Sequence, residues 1–176
     1  LIWADIQDYF PFAERTRNQL LADILIGVQL FIEALLAPST TASHPVLSNS
    51  DRSFIEQCQS AQTLMALSVY YICQMQLACI QGNFAQGLAN AIDAQPLLNS
   101  VLGFTTSASY YFYYSLILLN HDAAQNTNEI PENDWQQIQS NQVKLKTWSD
   151  NCPENFFHKY LLVQAEQARF KEQKAD

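Results

Sequence analysis

The stretch QGNFAQGLANAIDAQPL, Gln81 to Leu97, decides how the chain is read. Gly82 and Asn83 are the residue types that most readily take a positive φ, so they mark a tight turn. Phe84 opens the segment that follows, and small residues recur at Gly87, Ala91 and Ala94. That spacing gathers the small side chains on one helix face, where they let the helix lie close against a neighbour. Phe84 is large enough to plug the gap beneath the turn. The stretch thus reads as the turn and second arm of a helical hairpin, the arm running from Phe84 to Leu98.

Helical patterning continues on both sides. Phe54 to Ile80 reads as two helices broken near Ser60 to Thr63, with Asp51 or Ser53 as the cap at the start. Residues 38–52 read as a loop; its core, PSTTASHPVLSNS, carries prolines and many hydroxyl and amide groups. Before it, Leu20, Leu21, Ile24, Leu25, Val28, Phe31, Ile32 and Leu35 form one apolar face of a helix from Glu14 to Leu36, stopped by Pro38. Towards the C-terminus, Gly103 closes a connection. The segment Thr105 to Asn120 is then apolar and aromatic almost throughout, as expected of a helix covered on more than one side. HDAAQNTNEIPEN, residues 121–133, reads as an exposed loop. A helix from Asp134 to Ser149 is broken by Pro153, and a last one runs from Glu154 to Lys174 with Phe157, Tyr160, Leu161, Ala165 and Ala168 on one face.

Composition agrees. The 176 residues are 48% apolar and 15% charged, and 19 Gln and 12 Asn supply most of the remaining polarity. Four Gly and six Pro are too few for a sandwich or barrel with many tight turns, so the fold class is all-α. A net charge of −8 repels phosphate, which excludes nucleic acid as a partner. Cys58, Cys73, Cys79 and Cys152 show no CxxC spacing and read as buried free thiols of a reducing compartment, hence a cytoplasmic protein. The apolar run Leu20 to Leu36 is interrupted by Asp23, Gln29 and Glu33 and reads as too short and too polar for a membrane span. The first residue is Leu rather than Met, and the last ten trail off without a Gly cap; residues 1–176 read as a single domain that is an internal fragment of a larger protein.

Residues able to carry chemistry are few. His121, Asp122, Glu129 and Glu132 lack the helical spacing of a metal site. Glu154 and His158 stand at i, i+4, as a capping carboxylate and an incidental imidazole do, and Cys152 before Pro153 has no partner base. Phosphate-binding loops, nucleophile elbows and kinase signatures are missing from these residues. The expectation is therefore no catalytic residue, no metal and no cofactor. The block Tyr110-Tyr111-Phe112-Tyr113-Tyr114 is the feature with a functional rival to core packing. Tyr110, Tyr113 and Tyr114 span two adjacent faces, and a phenol among them that reaches a groove would anchor a protein partner.

Two likenesses carry a resemblance. Tyr70-Tyr71 and Tyr110-Tyr111 stand forty residues apart, each opening a long apolar helix, and Phe156-Phe157 begins a third forty-six later. With the Gly82 turn this resembles stacked tetratricopeptide hairpins, although Gln74 and Met75 stand where that repeat usually has Leu and Gly. WSDNCPENFFHKYLLVQAEQARF, Trp148 to Phe170, resembles a segment of very large, mainly cyanobacterial, signalling proteins. In those chains a serine/threonine kinase-like domain and an AAA-type ATPase domain precede a tetratricopeptide-like region, and sensor and histidine-kinase domains follow. Trp148, Asn151 to Phe156, Leu162-Val163, Ala165-Glu166 and Ala168-Arg169 carry that match. The resemblance implies an α-α superhelix of antiparallel hairpins. It further implies a non-catalytic regulatory or scaffold segment of a two-component or serine/threonine signal-transduction kinase, whose partners are proteins. A stand-alone peptide-binding adaptor and a small-ligand-binding helical bundle are the alternatives.

Overall fold

The computed structural model describes residues 2–36, 48–124 and 129–173. Among these residues eight α-helices follow one another: α1 (Ile2–Arg15), α2 (Gln19–Leu36), α3 (Asn49–Ala61), α4 (Leu64–Ile80), α5 (Phe84–Ala94), α6 (Thr105–Ala124), α7 (Glu132–Asn151) and α8 (Pro153–Gln173). A 3-10 segment, Gln95–Val101, continues α5. No strand occurs among the described residues, and the protein is all-α.

Local chemistry sets the helix ends. The stretch Glu14 to Leu36 is not one helix, because Arg17 takes φ 51° and closes α1 in the left-handed region. Asn18 then caps α2, its Oδ1 accepting from the Leu21 amide at 3.0 Å. Sequence reading placed no helix over residues 2–13, where Pro11 sits inside α1. The loop expected at 38–52 ends at Ser48, since residues 49–52 are the first turn of α3; residues 37–47 lie outside the described residues. The cap is Ser48 rather than Asp51 or Ser53. Its hydroxyl accepts from the Asp51 amide while the Asp51 carboxylate accepts from the Ser48 amide at 2.9 Å, a closed capping box. Gln62 at φ 56° and Thr63 make the foreseen break before α4. Gly82 at φ 73° makes the α4–α5 turn, and Asn83 caps α5 through the Gln86 amide at 3.3 Å. The loop expected at 121–133 starts too early, for α6 runs on to Ala124 and α7 begins at Glu132; residues 125–128 lie outside the described residues. Pro153 is the first residue of α8, where a missing N–H costs nothing.

The packing has a simple order. Helices α2, α4, α6 and α8 form a row in which each touches the next, while α3, α5 and α7 each lie against the two row members that flank them in sequence. Among the described residues the odd-numbered helices do not touch one another, α1 touches α2 alone, and nothing in α1–α3 approaches α6–α8. The largest core joins α4 to α8 around Met75, Ala91, Tyr110, Ile117, Leu118, Leu145 and Val163. A second, around Phe54, Cys58, Leu67 and Tyr70, joins α2, α3 and α4.

The same device recurs along the row. Tyr70 on α4 and Tyr110 on α6 are each 1% exposed. The Tyr70 hydroxyl reaches back to the preceding odd helix, donating to Asp51 Oδ1 at 2.8 Å, and that of Tyr110 donates to the Ala91 carbonyl at 3.2 Å. Close approach follows small residues: a Cβ on Gly87 would come 2.8 Å from Ile117 Cδ1 on α6 and 3.6 Å from Ala78 Cβ on α4. Ala91 and Ala94 on the same helix are fully buried.

Of the five residues read as the apolar face of α8, Tyr160 packs on the core and the other four turn outward. The residues that pack inward are Val163, fully buried, with Phe156, Tyr160 and Phe170 half-buried. Phe157 and Leu161 are 49% and 43% exposed, and Ala165 and Ala168 share that outward stripe.

Candidate functional site

The aromatic block on α6 divides by helical position. Tyr110 is core, its hydroxyl satisfied by the Ala91 carbonyl and its ring packed 5.4 Å from that of Tyr114. Tyr114 is 9% exposed. Burial pushes the phenols of both above their ordinary range; Tyr114 is pushed further by the charge of Asp134. Tyr113 is half-buried and is the member of the three with a surface to offer. Tyr111 faces another way, stacking 5.7 Å from Trp148, which in turn lies 6.0 Å from Phe156, so that α6, α7 and α8 are joined by one aromatic ladder. Lys144 Nζ sits 4.1 Å above the Tyr111 ring.

Around Tyr113 three successive members of the row contribute side chains. Burial raises its phenol, and the nearby Cys79 thiol on α4 adds to the shift. Burial also pushes the Cys79 thiol up to about 11, and Cys73 on the same helix likewise, so both are neutral at pH 7. The Tyr113 ring packs edge-on against Phe112 at 4.8 Å, and Lys159 Nζ from α8 lies 5.0 Å over the Phe112 ring. Cys79, Tyr113, Phe112 and Lys159 thus bring together side chains from α4, α6 and α8. Nothing in a hairpin pattern singles out Cys79 or Lys159; they belong to the site through the row, which brings together residues eighty apart in sequence.

A second polar cluster joins α2, α3 and α4. Asp23 is fully buried, and its carboxylate accepts from Gln19 Nε2 at 2.8 Å, Gln57 Nε2 at 2.6 Å and Thr63 Oγ1 at 2.6 Å. Three neutral donors saturate this charge, which makes it a clasp between helices. Next to it, burial raises the Cys58 thiol, Thr63 lowers it through a hydrogen bond, and Asp23 raises it. Beyond this clasp an open pocket of about 430 Å³ lies between α2 and α3, lined by Ile26 and Leu30 from α2 and by Asn49, Ser50, Ser53, Phe54 and Gln57 from α3.

The remaining sequence candidates lie apart. Glu154 and His158 are both exposed on α8. Cys152 is half-buried; its Sγ accepts from Asn155 Nδ2 at 3.2 Å and faces Glu154 Oε2 at 3.9 Å. The side chain of Asp122 lies outside the described residues. Among the described residues no group of three or more His, Cys, Asp and Glu is placed to hold a metal ion. Helix α2 is long and apolar enough to cross a membrane, with a mean hydropathy of 1.8 over 18 residues, where sequence reading took Leu20 to Leu36 as too short and too polar. No family model, curated protein or solved structure matches the chain.

Proposed function

We propose that this chain is a non-catalytic helical-repeat segment of tetratricopeptide type that holds protein contacts inside a large cytoplasmic signalling kinase. One observation carries the repeat reading: the row α2, α4, α6, α8 with an odd helix lodged at each step, and with Tyr70 and Tyr110 performing the same tie one step apart. Stacked hairpins offer an extended surface along one row of helices. Tyr113 is half-buried there with Cys79 near it, and Lys159 lies over the neighbouring Phe112 ring. The outward stripe Phe157, Leu161, Ala165 and Ala168 on α8 supports a larger assembly, because it is the apolar side a further helix would cover. Four free cysteines, two of them with thiols pushed up to about 11, accord with a reducing compartment.

The genomic reading frame on either side of Leu1 and Asp176 tests the proposal. Kinase and ATPase signatures upstream, with sensor domains downstream, are the expected finding. Start and stop codons at the present ends would overturn it in favour of an independent adaptor.

A further inference from the structure

We propose that the outward stripe of α8 pairs with the same stripe of a second copy of this chain, so that each α8 fills on the other the place that an odd-numbered helix takes along the row. The inference rests on the packing of the row and not on the chain's place in a kinase.

The aromatic pairs of the row helices divide their contacts in a fixed way. The first member turns to the preceding odd helix: Tyr70 to Asp51 on α3, Tyr110 to Ala91 on α5 and Phe156 to Trp148 on α7. The second turns to the odd helix that follows. Tyr111 packs on Trp148 of α7, and four residues on, Ser115 Oγ accepts from Asn141 Nδ2 of the same helix at 3.2 Å. On α4, burial raises the Tyr71 phenol and the charge of Asp93 on α5 raises it further. Phe157 and Leu161 stand at the register of Tyr111 and Ser115, yet they are 49% and 43% exposed, and no odd helix follows α8 among the described residues. The seat that α7 fills on α6 is open on α8.

What fits such a seat is a helix that runs back along it with small residues on its contact face. Helix α5 does so on α4 with Gly87, Ala91 and Ala94, spaced by four and three. Leu161, Ala165 and Ala168 repeat that spacing, with alanines at the last two places. The α8 stripe thus has a large half, Phe157 and Leu161, like a row helix, and a small half, Ala165 and Ala168, like an odd one. Laid antiparallel about a two-fold axis, Phe157 meets the partner's Ala168 and Leu161 the partner's Ala165, large against small at each level. Glu154 at one end of the stripe meets Lys171 and Glu172 at the other, all exposed, so charge neither drives nor forbids the pairing and the apolar contact decides.

Sedimentation equilibrium of the intact chain tests this. The expected result is a reversible equilibrium between monomer and dimer whose dissociation constant rises about tenfold or more in Leu161→Glu and Ala165→Glu, because each sets a carboxylate against apolar surface. Both positions are exposed in the single chain, so the circular dichroism spectra of the variants should match that of the parent. Val143→Glu, at a 67% exposed position on α7, should leave the equilibrium as it was. Mixing Phe157→Cys chains with Ala168→Cys chains under mild oxidation should cross-link position 157 to position 168, as located by peptide mass spectrometry, several-fold faster than either position links to itself. A chain that stays monomeric at its highest soluble concentration would overturn the proposal and leave the seat to an unlike helix. A dimer that both carboxylate variants preserve would overturn it as well, since another face would then hold the copies. So would a preferred link of 157 to 157, which belongs to a parallel pair.

Discussion

The hydroxyl of Tyr110 and that of Tyr113 sit three residues apart on one helix and meet different fates. Replacing Tyr110 by Phe removes a buried hydrogen bond and leaves the Ala91 carbonyl a poorer partner, at a cost of about 0.5–1.5 kcal/mol. Tyr110→Ala empties a core position and should cost about 3–5 kcal/mol. Tyr113→Ala opens no closed cavity and should cost clearly less, so urea melts of the three variants rank them, and Tyr113 is the position at which a partner contact is tested without unfolding. The sequence supports grouping Tyr110, Tyr113 and Tyr114 but not sorting them: a helix apolar on every side carries no periodic signal, and only the placement of α5 and α7 decides which phenols are covered. Buried thiols have a pH consequence. Those of Cys73 and Cys79 ionise near 9.0 when unfolded and at about 11 in the fold. Between these values the native state keeps protons that the unfolded state has released. Stability is full below pH 9 and falls as pH rises towards about 11, which thermal melts across that range should register.

Among the helices, the most legible features were those governed by one residue's backbone preference. The Gly82 turn and a break within Ser60 to Thr63 follow from φ and are found where expected, and α8 begins at Pro153, one residue before the expected Glu154. Gly82→Ala forces a Cβ into φ 73° with open space around it; the expected loss is about 1 kcal/mol, from backbone strain alone, seen as a lower urea midpoint. Features governed by competition between neighbours were missed. Helix α1 is amphipathic, with Ile6, Phe10 and Ala13 packed on α2, but Pro11 in its interior reads as a break. On α8 the sequence pattern groups the inward Tyr160 with the outward Phe157 and Leu161, since these look as apolar as Phe156 and Val163. Asp23 shows how tightly α2, α3 and α4 are joined. Asp23→Ala leaves the donors of Gln57 and Thr63 without their acceptor and should lower stability by about 2–3 kcal/mol, whereas Asp23→Asn retains an acceptor and should lose less. Equal losses in the two variants would show that packing, not the clasp, joins these helices.

Across the whole molecule, each helix depends only on those beside it. One core joins α4 to α8 and separate clusters hold α1, α2 and α3, so contacts are unevenly spread along the chain. Native-state hydrogen exchange should therefore be graded. Amides of α4 and α6, which pack on several helices, should open last, and those of α1, which packs on α2 alone, first. Uniform exchange from α1 to α8 would indicate a single cooperative unit instead. That the chain is helical could be read from composition and turns. That its helices form a row could not, because row and bundle share the same hairpins and differ only in which next-but-one helices meet.

The solitary hold of α1 on α2 also has a mechanical side. Tension applied between α1 and α8 passes through the helix interfaces in series, each bearing the full load, so the chain yields at its weakest seam instead of sharing the force. The α1–α2 seam has no third helix to back it and would peel first, lengthening the molecule by a discrete step while the rest of the row holds its shape.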